Sequence, residues 1–380
     1  GLLLLPNRWP PPGGAMRARV LWAWRGAWGC VRGHAAGAAR RGRPPWRVLF
    51  FGTDGFAAET LRALQAAREP RFGPLVDCLE VVTLQSRLAK GLPVQNCAEQ
   101  FQLPVHLWPD VGLCKHFDVG VVASFGRMLS EDLILSFPYG VLNVHPSFLP
   151  RWRGPAPITH TVLHGDAVTG VTIMQIRPKR FDVGPIIKQE TFAVPPHCSS
   201  KELESMLSKQ GADMLIAVLQ NLPESLRNKR EQPKEGVTFA PKVSAAMSCI
   251  QWEEQSAEQV LRMHRALGEV MPLQTLWKGT PVKLLDFVQV EASPDFAGIS
   301  HGSLSIPPHK LARAVDSWVG AKGIILKKKL SAADFYNGYL HPWFERKSEM
   351  PSGKCRFQTL RLATAKKTQR GAVLQTQSAR

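Results

Sequence analysis

Hydrophobic and polar positions follow two alternating patterns between residues 46 and 222 of the 380-residue chain. Short apolar runs predict buried strands, whereas apolar residues spaced three and four apart predict amphipathic helices. The predicted strands lie at 46–53, 78–85, 117–126, 140–145 and 170–176. The predicted helices lie at 56–68, 95–101, 158–165 and 199–222. This alternation indicates an α/β fold with a parallel, Rossmann-like sheet, whose functional sites lie at the carboxyl ends of the strands.

The pattern changes after residue 222, and this change predicts a second domain. Residues 225–247 are polar, contain proline and lack a regular period, which is typical of an interdomain linker. An amphipathic helix at 256–268 and short strands such as 282–290 and 323–331 follow, so we expect a smaller, β-rich domain. The predicted organisation is a basic leader (1–46), an α/β domain (47–224), the linker (225–247), a β-rich domain (248–345) and a basic, disordered tail (346–380).

Charge is concentrated at the two ends of the chain. Of the formal net charge of +18, residues 1–47 contribute nine Arg and no acid, and residues 351–380 contribute seven Lys or Arg and no acid. Residues 48–350 hold 32 basic and 30 acidic residues, so nucleic-acid binding has to be argued from local patches. The Arg-rich, acid-free leader lacks a long apolar run, which favours an organellar transit peptide over a secretory signal. A disordered basic tail is the alternative, and Met16 is a second candidate for the first residue.

Cysteine use argues against two classes of protein. The seven cysteines are scattered, their number is odd and they form no CxxC pair, which disfavours a disulfide framework and a structural zinc site. A reducing compartment such as the cytosol or the mitochondrial matrix fits this pattern. No apolar run approaches the roughly 18 residues of a membrane span, so we expect no membrane insertion.

The segment NVHPSFLPRWRGPAP, residues 143–157, carries the strongest candidate chemistry. Side chains alternate faces along a strand, so Asn143 and His145 project to one side and Val144 to the other. Pro146 ends the strand, which puts both polar side chains at its carboxyl end. An amide can donate a hydrogen bond to a developing oxyanion, and a histidine can add a donor or move a proton, a combination that suits acyl transfer. A structural histidine in a proline-rich turn is the alternative.

A histidine in this role needs a carboxylate to orient it. Asp182 follows the strand predicted at 170–176, which we expect to neighbour the strand at 140–145, and therefore can reach the same sheet edge. An ordinary turn aspartate before a glycine is the alternative interpretation.

Other catalytic and cofactor signatures are weak. There is no GxSxG motif, and Ser124 has no local base. His160 and His164 are four residues apart but lack the Glu of an HExxH motif, so we predict no metal site. FGTDGF is not a GxGxxG motif, and the charge of Asp54 would repel a phosphate, which disfavours dinucleotide binding.

Several local basic patches are candidates for contact with nucleic acid. They are Arg151 and Arg153 around Trp152, Arg177 with Lys179 and Arg180, Arg87 with Lys90, and Lys327, Lys328 and Lys329 with Lys322. Arginine beside tryptophan can bind phosphate or stack on a base. A single patch of this kind is more often a solvated surface, and the argument rests on several occurring in both predicted domains.

The segment from Asn143 to Ile158, followed by HGDAVTGVTIMQI and FDVG, resembles methionyl-tRNA formyltransferases within the folate-dependent formyltransferase family. Together with the basic leader, it is similar to the mitochondrial members. The resemblance runs from about residue 46 to 222 and continues more loosely to about 343. It implies a Rossmann-like formyltransferase domain followed by an OB-like β-barrel that contacts tRNA, in a monomer of the mitochondrial matrix that uses no metal.

The resemblance also implies roles for individual residues. The catalytic trio falls on Asn143, His145 and Asp182, the co-substrate is 10-formyltetrahydrofolate, and the acceptor is initiator methionyl-tRNA. The implied folate-contacting residues are Ser147, Phe148, Leu149 and Pro150, with Phe125, Gly126, Arg127 and Met128 lining the same pocket. The implied tRNA-contacting residues are Arg151, Trp152, Arg153, Arg87, Lys90, Lys327, Lys328 and Lys329.

The sequence departs from the family pattern in three places. The segment before Asp182 is about one residue longer than in bacterial members, and the basic loop of those members is reduced to QSRLAKGLP, residues 85–93. Residues 306–320 lack the expected pair of strands separated by glycine, which predicts an altered barrel. Two other functions stay open: a folate-dependent formyltransferase or 10-formyltetrahydrofolate hydrolase with a small acceptor, and a non-catalytic RNA-binding protein.

Overall fold

The computed structural model describes residues 42–69, 73–86, 89–111, 116–290, 304–305, 311–313, 318–340 and 357–362. Arg87, residues 1–41 of the predicted leader and most of the predicted tail lie outside these ranges. Among the described residues, no helix has the length and apolar character that crossing a membrane requires.

The first domain is built from a seven-stranded sheet and six helices within the described part of the chain. Its strands are β1 (Trp46–Gly52), β2 (Val76–Thr83), β3 (Val105–Leu107), β4 (Val119–Ala123), β5 (Val141–His145), β6 (Val168–Gln175) and β7 (Ile186–Ala193). Its helices are α1 (Gly55–Ala66), α2 (Pro93–Gln100), α3 (Glu131–Leu135), α4 (Pro157–His164), α5 (Ser200–Gln220) and α6 (Leu222–Arg227). Side-chain caps start the two main helices: Asp54 accepts from the Ala57 amide, and Ser199 forms a capping box with Glu202.

The strand order is β3-β2-β1-β4-β5-β6-β7, and the sheet is mixed rather than parallel throughout. β1 to β5 are parallel, as the pattern predicts, but β6 runs antiparallel to β5, with His145 opposite Thr172. β7 is antiparallel to β6. The chain leaves the carboxyl end of β5 through a loop and α4 and enters β6 at the same end of the strands. It therefore makes no crossover to the other end of the sheet.

The first domain has a hydrophobic core on each face of its sheet. On one face, α1 and α5 cover strand residues that include Phe50 and Val144. On the other face, Phe51 and Val141 belong to a second, smaller core. Because strand side chains alternate, residues 143 and 145 of β5 lie on the face of this second core, at the end of the strand.

The predicted linker at 225–247 is part of the first domain's structure rather than a free connection. Arg230 and Ile186 exchange two backbone hydrogen bonds, with N–O distances of 2.9 and 2.7 Å. Further along, Arg153 donates to the Thr238 carbonyl (2.9 Å) and accepts from the Ala240 amide (2.7 Å). The segment has no periodic pattern because its backbone groups bond to distant segments instead of forming local structure.

The second domain is an antiparallel β-structure preceded by a helix, which confirms the predicted β-rich domain. Its elements are α7 (Ala257–Leu267), β8 (Leu273–Trp277), β9 (Thr280–Gln289), β10 (Leu304–Ser305), β11 (Leu311–Arg313), β12 (Trp318–Ile325), β13 (Lys329–Ser331), α8 (Ala332–Phe335) and β14 (Phe357–Gln358). The strand order is β10-β11-β12-β9-β8-β14, with β13 paired to β12. The strand predicted at 323–331 is thus two strands joined by a turn. An antiparallel pair, β11 and β12, also occupies part of the region where the sequence predicts an alteration.

Residues 357–362 correct the prediction that the chain is disordered from 346 onward. β14 pairs with β8, and the Phe357 ring stacks on Trp252 with a centroid distance of 5.9 Å. The Thr359 hydroxyl accepts a hydrogen bond from the Trp252 amide (3.1 Å). The buried ring of Phe357 and the pairing of β14 with β8 stabilise this segment, although charged residues surround it in the sequence.

The helix α7 links the second domain to the first. It packs against α4 and α5, and the Ser200 hydroxyl at the start of α5 donates to the Ala266 carbonyl (3.0 Å). The second domain is therefore held close to the loop that follows β5.

Candidate active site

The end of β5 presents Asn143 and His145 on one face of the sheet. β5 is paired on both sides, to β4 and to β6, which fixes the direction of each side chain. Val144 points into the opposite core, as the alternation predicts. His145 is buried and Asn143 is half-buried, so a ligand has access chiefly from the Asn143 side.

Asp182 lies beside both residues, but it arrives there by a different route from the one the sequence suggests. It belongs to the loop between β6 and β7, residues 176–185, here called the acid loop. Because β6 is antiparallel to β5, the acid loop starts at the opposite end of the strands, beside the amino end of β5. From there it folds back over the face of β5. The Asp182 Oδ1 atom lies 3.4 Å from Asn143 Nδ2, within hydrogen-bonding range, and 3.7 Å from His145 Nδ1.

The two ring nitrogens of His145 face different groups. Nε2 lies 3.0 Å from the Trp152 carbonyl oxygen. A carbonyl oxygen only accepts hydrogen bonds, so Nε2 carries a hydrogen. Nδ1 faces the Asp182 carboxylate at 3.7 Å. If Nδ1 also carries a hydrogen, that hydrogen faces the negative charge of Asp182. The distance of 3.7 Å between Nδ1 and Oδ1 exceeds the usual hydrogen-bond range, so this hydrogen stays available to a ligand.

The carboxylate of Asp182 is held by backbone and side-chain donors. The Gly154 amide donates to Oδ2 at 2.9 Å, and Asn143 donates to Oδ1. A carboxamide has two N–H groups, so Asn143 keeps one of them for a ligand. Burial lowers the pKa of the nearby Arg153 guanidinium, and the charge of Asp182 partly offsets this effect.

The segment after β5 is held mainly by contacts within the domain. The Ser147 hydroxyl donates to the Arg151 carbonyl (2.7 Å), and the Thr172 hydroxyl donates to the Ser147 carbonyl (2.7 Å). Leu149 and Pro150 are also buried. Of the four residues predicted to contact folate, only Phe148 exposes its side chain, at 37%. The other three shape the loop, so a contact through the Ser147 hydroxyl is not available in this conformation.

The second predicted pocket segment also divides into buried and exposed parts. Phe125 is 2% exposed and packs edge-on against Phe51 and Trp108, at centroid distances of 5.6 and 5.5 Å. It is a core residue because its ring completes the smaller core. Gly126, Arg127 and Met128 are exposed.

The Arg and Trp side chains of residues 151–154, here called the RWRG loop, form hydrogen bonds to other residues of the protein. Arg151 forms two hydrogen bonds to Asp166, at 2.8 and 2.5 Å, and Trp152 Nε1 donates to the same carboxylate at 2.7 Å. Burial raises the pKa of Asp166, but the hydrogen bonds from Arg151 and Trp152 outweigh this effect and leave that pKa below its ordinary value. The Arg153 side chain donates to Gln232 Oε1.

Trp152 therefore does not present a face for base stacking, which corrects the role predicted for it. Its side chain is 5% exposed and packs against His160 and His164, at centroid distances of 5.4 and 4.6 Å. The two histidines likewise belong to this aromatic cluster. Among the described residues, no group of three or more His, Cys, Asp or Glu side chains is arranged to hold a metal ion.

The remaining predicted tRNA residues lie on the surface. Lys90 is exposed near the start of α2. Lys327, Lys328 and Lys329 are exposed in the hairpin that joins β12 to β13. Arg87 lies outside the described residues.

Sequence reasoning missed three residues that shape the site: Asp166, Gln232 and Thr238. Thr238 Oγ1 accepts from the Trp152 amide at 2.9 Å, and Gln232 bridges Arg153 and the acid loop. Asp166 lies in the segment HGD, directly after α4. An acidic residue this near in sequence to the basic residues of 151–153 is a signal from which a contact with them can be predicted. Gln232 and Thr238 lie in an aperiodic polar segment, which offers no such signal.

Two family models match this chain. Residues 111–219 match the family model described as formyl transferase, and residues 242–340 match the formyl transferase C-terminal domain. The mitochondrial methionyl-tRNA formyltransferase of Homo sapiens is 56% identical over 384 residues, which cover 98% of this chain and 98% of the human protein. The Mus musculus protein of the same name is 62% identical over 337 residues, covering 86% of this chain and 87% of the mouse protein.

A solved structure shows the same fold. The N-formyltransferase from Helicobacter canadensis, in complex with folinic acid and dTDP-3-aminofucose, superposes with a TM-score of 0.55 at 13% identity, covering 75% of this chain and 100% of that one. At this identity the likeness concerns the fold alone. The identity to the human and mouse proteins over nearly their whole length goes further, and the chain belongs to the methionyl-tRNA formyltransferase family.

Proposed function

We propose that the protein transfers the formyl group of 10-formyltetrahydrofolate to the α-amino group of methionyl-tRNA, with initiator tRNA as the natural acceptor. The family assignment supports the reaction. The observation that carries the proposed mechanism is that Asn143 and His145 both lie within 3.7 Å of one carboxylate oxygen of Asp182. An amide, an imidazole and a carboxylate in this arrangement can stabilise an oxyanion and move a proton.

The residues around the site fit a folate formyl donor. β4 and β5 are parallel neighbours, so the segments that follow them leave from the same sheet edge. Each segment exposes an apolar side chain, Met128 at 48% and Phe148 at 37%, that can contact a flat ring. When bound, the folate supplies an electrophilic formyl carbon and a nitrogen leaving group.

The acceptor amine needs little activation. A free α-amino group has a pKa of about 7.7 to 8.0, so a useful fraction is neutral near pH 8. As the amine nitrogen bonds to the formyl carbon, Asn143 donates its free N–H to the oxygen that becomes negative. When both of its ring nitrogens carry a proton, His145 can offer the Nδ1 proton to the same oxygen or to the departing nitrogen, and Asp182 faces the positive charge that the ring carries before this transfer. A proton from the attacking amine then restores the ring. The proton lost by the amine balances the proton gained by the folate nitrogen, and the bond between that nitrogen and the formyl carbon breaks.

The relatives are named mitochondrial, and we propose the matrix as the site of action and a monomer as the working form. Lys90 and the hairpin lysines 327–329 are proposed to contact the tRNA backbone, because they are exposed cations in both domains. Arg151 and Arg153 are proposed to contribute positive potential near the site rather than free side chains.

A labelled-formyl assay tests this function. The protein is incubated with 10-formyltetrahydrofolate labelled in the formyl group and with methionyl-tRNA, next to uncharged tRNA and buffer alone. The proposal predicts that label appears on the aminoacyl group only in the first reaction. Release of free formate in all three reactions would point to a hydrolase, and tRNA binding without transfer would point to a non-catalytic RNA-binding protein.

A further inference from the structure

One glutamine of the linker joins the three segments that surround the acid of the site. Gln232 Nε2 donates to the carbonyls of Asp182 and Gly184, at 2.9 and 2.8 Å. Its Oε1 accepts from Nε and Nη2 of Arg153, at 3.1 and 2.6 Å. Both N–H groups and the oxygen of the carboxamide are thus used, and the side chain is half-buried between the linker, the RWRG loop and the acid loop.

The acid loop needs such support because its backbone is strained where the acid stands. Asp182 has a φ of 53°, in the left-handed region that non-glycine residues seldom occupy. A residue holds this conformation only when its surroundings fix it. Gln232 donates to the carbonyl of Asp182 itself and to that of Gly184, two residues later. These hydrogen bonds fix the backbone that carries the Asp182 carboxylate.

The same glutamine also fixes the loop on the other side of the carboxylate. Arg153 is adjacent to Gly154, whose amide donates to Asp182 Oδ2 at 2.9 Å. Holding the Arg153 side chain therefore helps to keep this amide in place. Glutamine is suited to the position because one carboxamide provides both the acceptor for a guanidinium and the donors for two carbonyls.

We propose that Gln232 is a positioning residue that sets the orientation of Asp182 toward His145, which rests on the proposed role of Asp182 in catalysis. The linker is accordingly part of the site, together with the RWRG loop and the acid loop. In this proposal Gln232 affects the reaction through Asp182, so its loss is expected to lower kcat more than it lowers the stability of the fold.

Two substitutions separate positioning from folding. Gln232→Met keeps the length of the side chain but removes every polar contact. Gln232→Glu keeps an acceptor for Arg153, with a stronger charge pair, but loses both donors to the acid loop and adds a negative charge near Asp182. Gln95→Met is a matched control, because Gln95 lies in α2 and its Nε2 donates to Glu99, in the same helix.

The expected results concern kcat, KM and thermal stability measured together on the full-length protein. Both Gln232 variants are expected to lower kcat roughly tenfold or more, since small misplacements of a catalytic group cost this much, while KM for methionyl-tRNA stays within about threefold. Gln232→Glu replaces the lost donors in part by a charge pair with Arg153, so its Tm is expected to fall less than that of Gln232→Met, and a loss of kcat that does not follow the loss of Tm marks positioning. Gln95→Met is expected to match the wild type in both.

A double-mutant cycle decides the proposal. If Gln232 acts through Asp182, adding Gln232→Met to Asp182→Asn lowers kcat no further, because the carboxylate it positions is already gone. Multiplying effects in the double variant, or a kcat within twofold of the wild type in both Gln232 variants, would overturn the proposal. If Asp182→Asn itself retains wild-type activity, the proposed catalytic role of Asp182 fails instead, and the Gln232 proposal fails with it.

Discussion

The two sides of the site are held in different ways. Asn143 and His145 stand on a strand whose backbone is paired on both flanks, and the buried Val144 anchors the opposite face. Asp182 stands on a loop with a strained backbone, and besides Asn143 its donors are Gly154 and Gln232, which are 28 and 50 residues away in sequence.

This difference teaches where each side is vulnerable. The strand side is fixed by the sheet, so a substitution there leaves the backbone of β5 in place and acts on the chemistry and on the one hydrogen bond from Asn143 to Asp182. The loop side depends on contacts between the RWRG loop, the acid loop and the linker, so substitutions that never touch the substrate alter it. The following predictions test this contrast, beginning with the largest effect.

The strand side is tested by Asn143→Ala. Loss of one oxyanion donor typically costs about 2.7 to 4 kcal/mol, so kcat is expected to fall roughly a hundredfold or more. KM for methionyl-tRNA and the Tm are expected to change little, because β5 keeps both of its neighbours. Steady-state kinetics with a melting curve check this, and near-normal turnover would remove Asn143 from the mechanism.

The loop side is tested by Gly154→Ala. Gly154 has a φ of +125°, and an added Cβ would lie 2.6 Å from the Ala240 carbonyl oxygen of the linker. The RWRG loop must then move away from the linker, so kcat is expected to fall about tenfold and the free energy of unfolding by about 1 to 3 kcal/mol.

Gly236→Ala is the matched control for this loop variant. Gly236 lies in the same linker with a φ of +72°, but an added Cβ meets nothing within 4 Å. It is expected to lose a little stability and no activity. Equal kcat in the two variants would show that contact between the RWRG loop and the linker does not matter for the site.

The hairpin lysines lie on neither side of the site and test substrate docking. Replacing Lys327, Lys328 and Lys329 by Ala is expected to raise KM for methionyl-tRNA about five- to tenfold at low salt and to leave kcat within about twofold. The salt dependence of tRNA binding is expected to become shallower, because fewer phosphate contacts remain. Lys209→Ala, on the exposed surface of α5, is the control, and an unchanged salt slope in the hairpin variant would contradict this docking role.

The outer anchor of the RWRG loop gives the smallest effect on activity and a defined pH dependence. The pKa of Asp166 is depressed in the folded protein, so its contribution to stability is present above its unfolded pKa of about 3.9 and is lost as pH falls through the folded value. Asp166→Asn is expected to lower the free energy of unfolding by about 1 to 2 kcal/mol at pH 7. The difference from the wild type is expected to shrink below about pH 4 in melting curves. A difference independent of pH would show that the charge of Asp166 contributes nothing.

Features set by local pattern could be predicted from the sequence. The apolar run ending in Asn143 and His145 predicts β5 and the face of both side chains, and the cap at Ser199 predicts the start of α5. These succeed because period and capping depend on neighbours in the chain.

Features set by distant contacts could not be predicted in the same way. The antiparallel course of β6, the contacts of Gln232 and the pairing of β14 depend on hydrogen bonds across many residues, which leave no local pattern. Parallel strand order predicts the proximity of Asp182 to His145, but the structure brings them together differently, because the acid loop folds back from the opposite end of the strands. The need of His145 for a carboxylate and the position of Asp182 after a neighbouring strand predict this residue, and the family resemblance implies the same one.

The central claim is that His145 and Asp182 act as one unit in the transfer step. The direct test is the single-turnover rate of formyl transfer to methionyl-tRNA, at saturating concentrations of both substrates, for His145→Ala, Asp182→Ala and the double variant. Residues that act as a unit are not additive, so the double variant is expected to be as slow as His145→Ala alone, within about twofold. A double variant slowed by the product of the two single effects would contradict the claim.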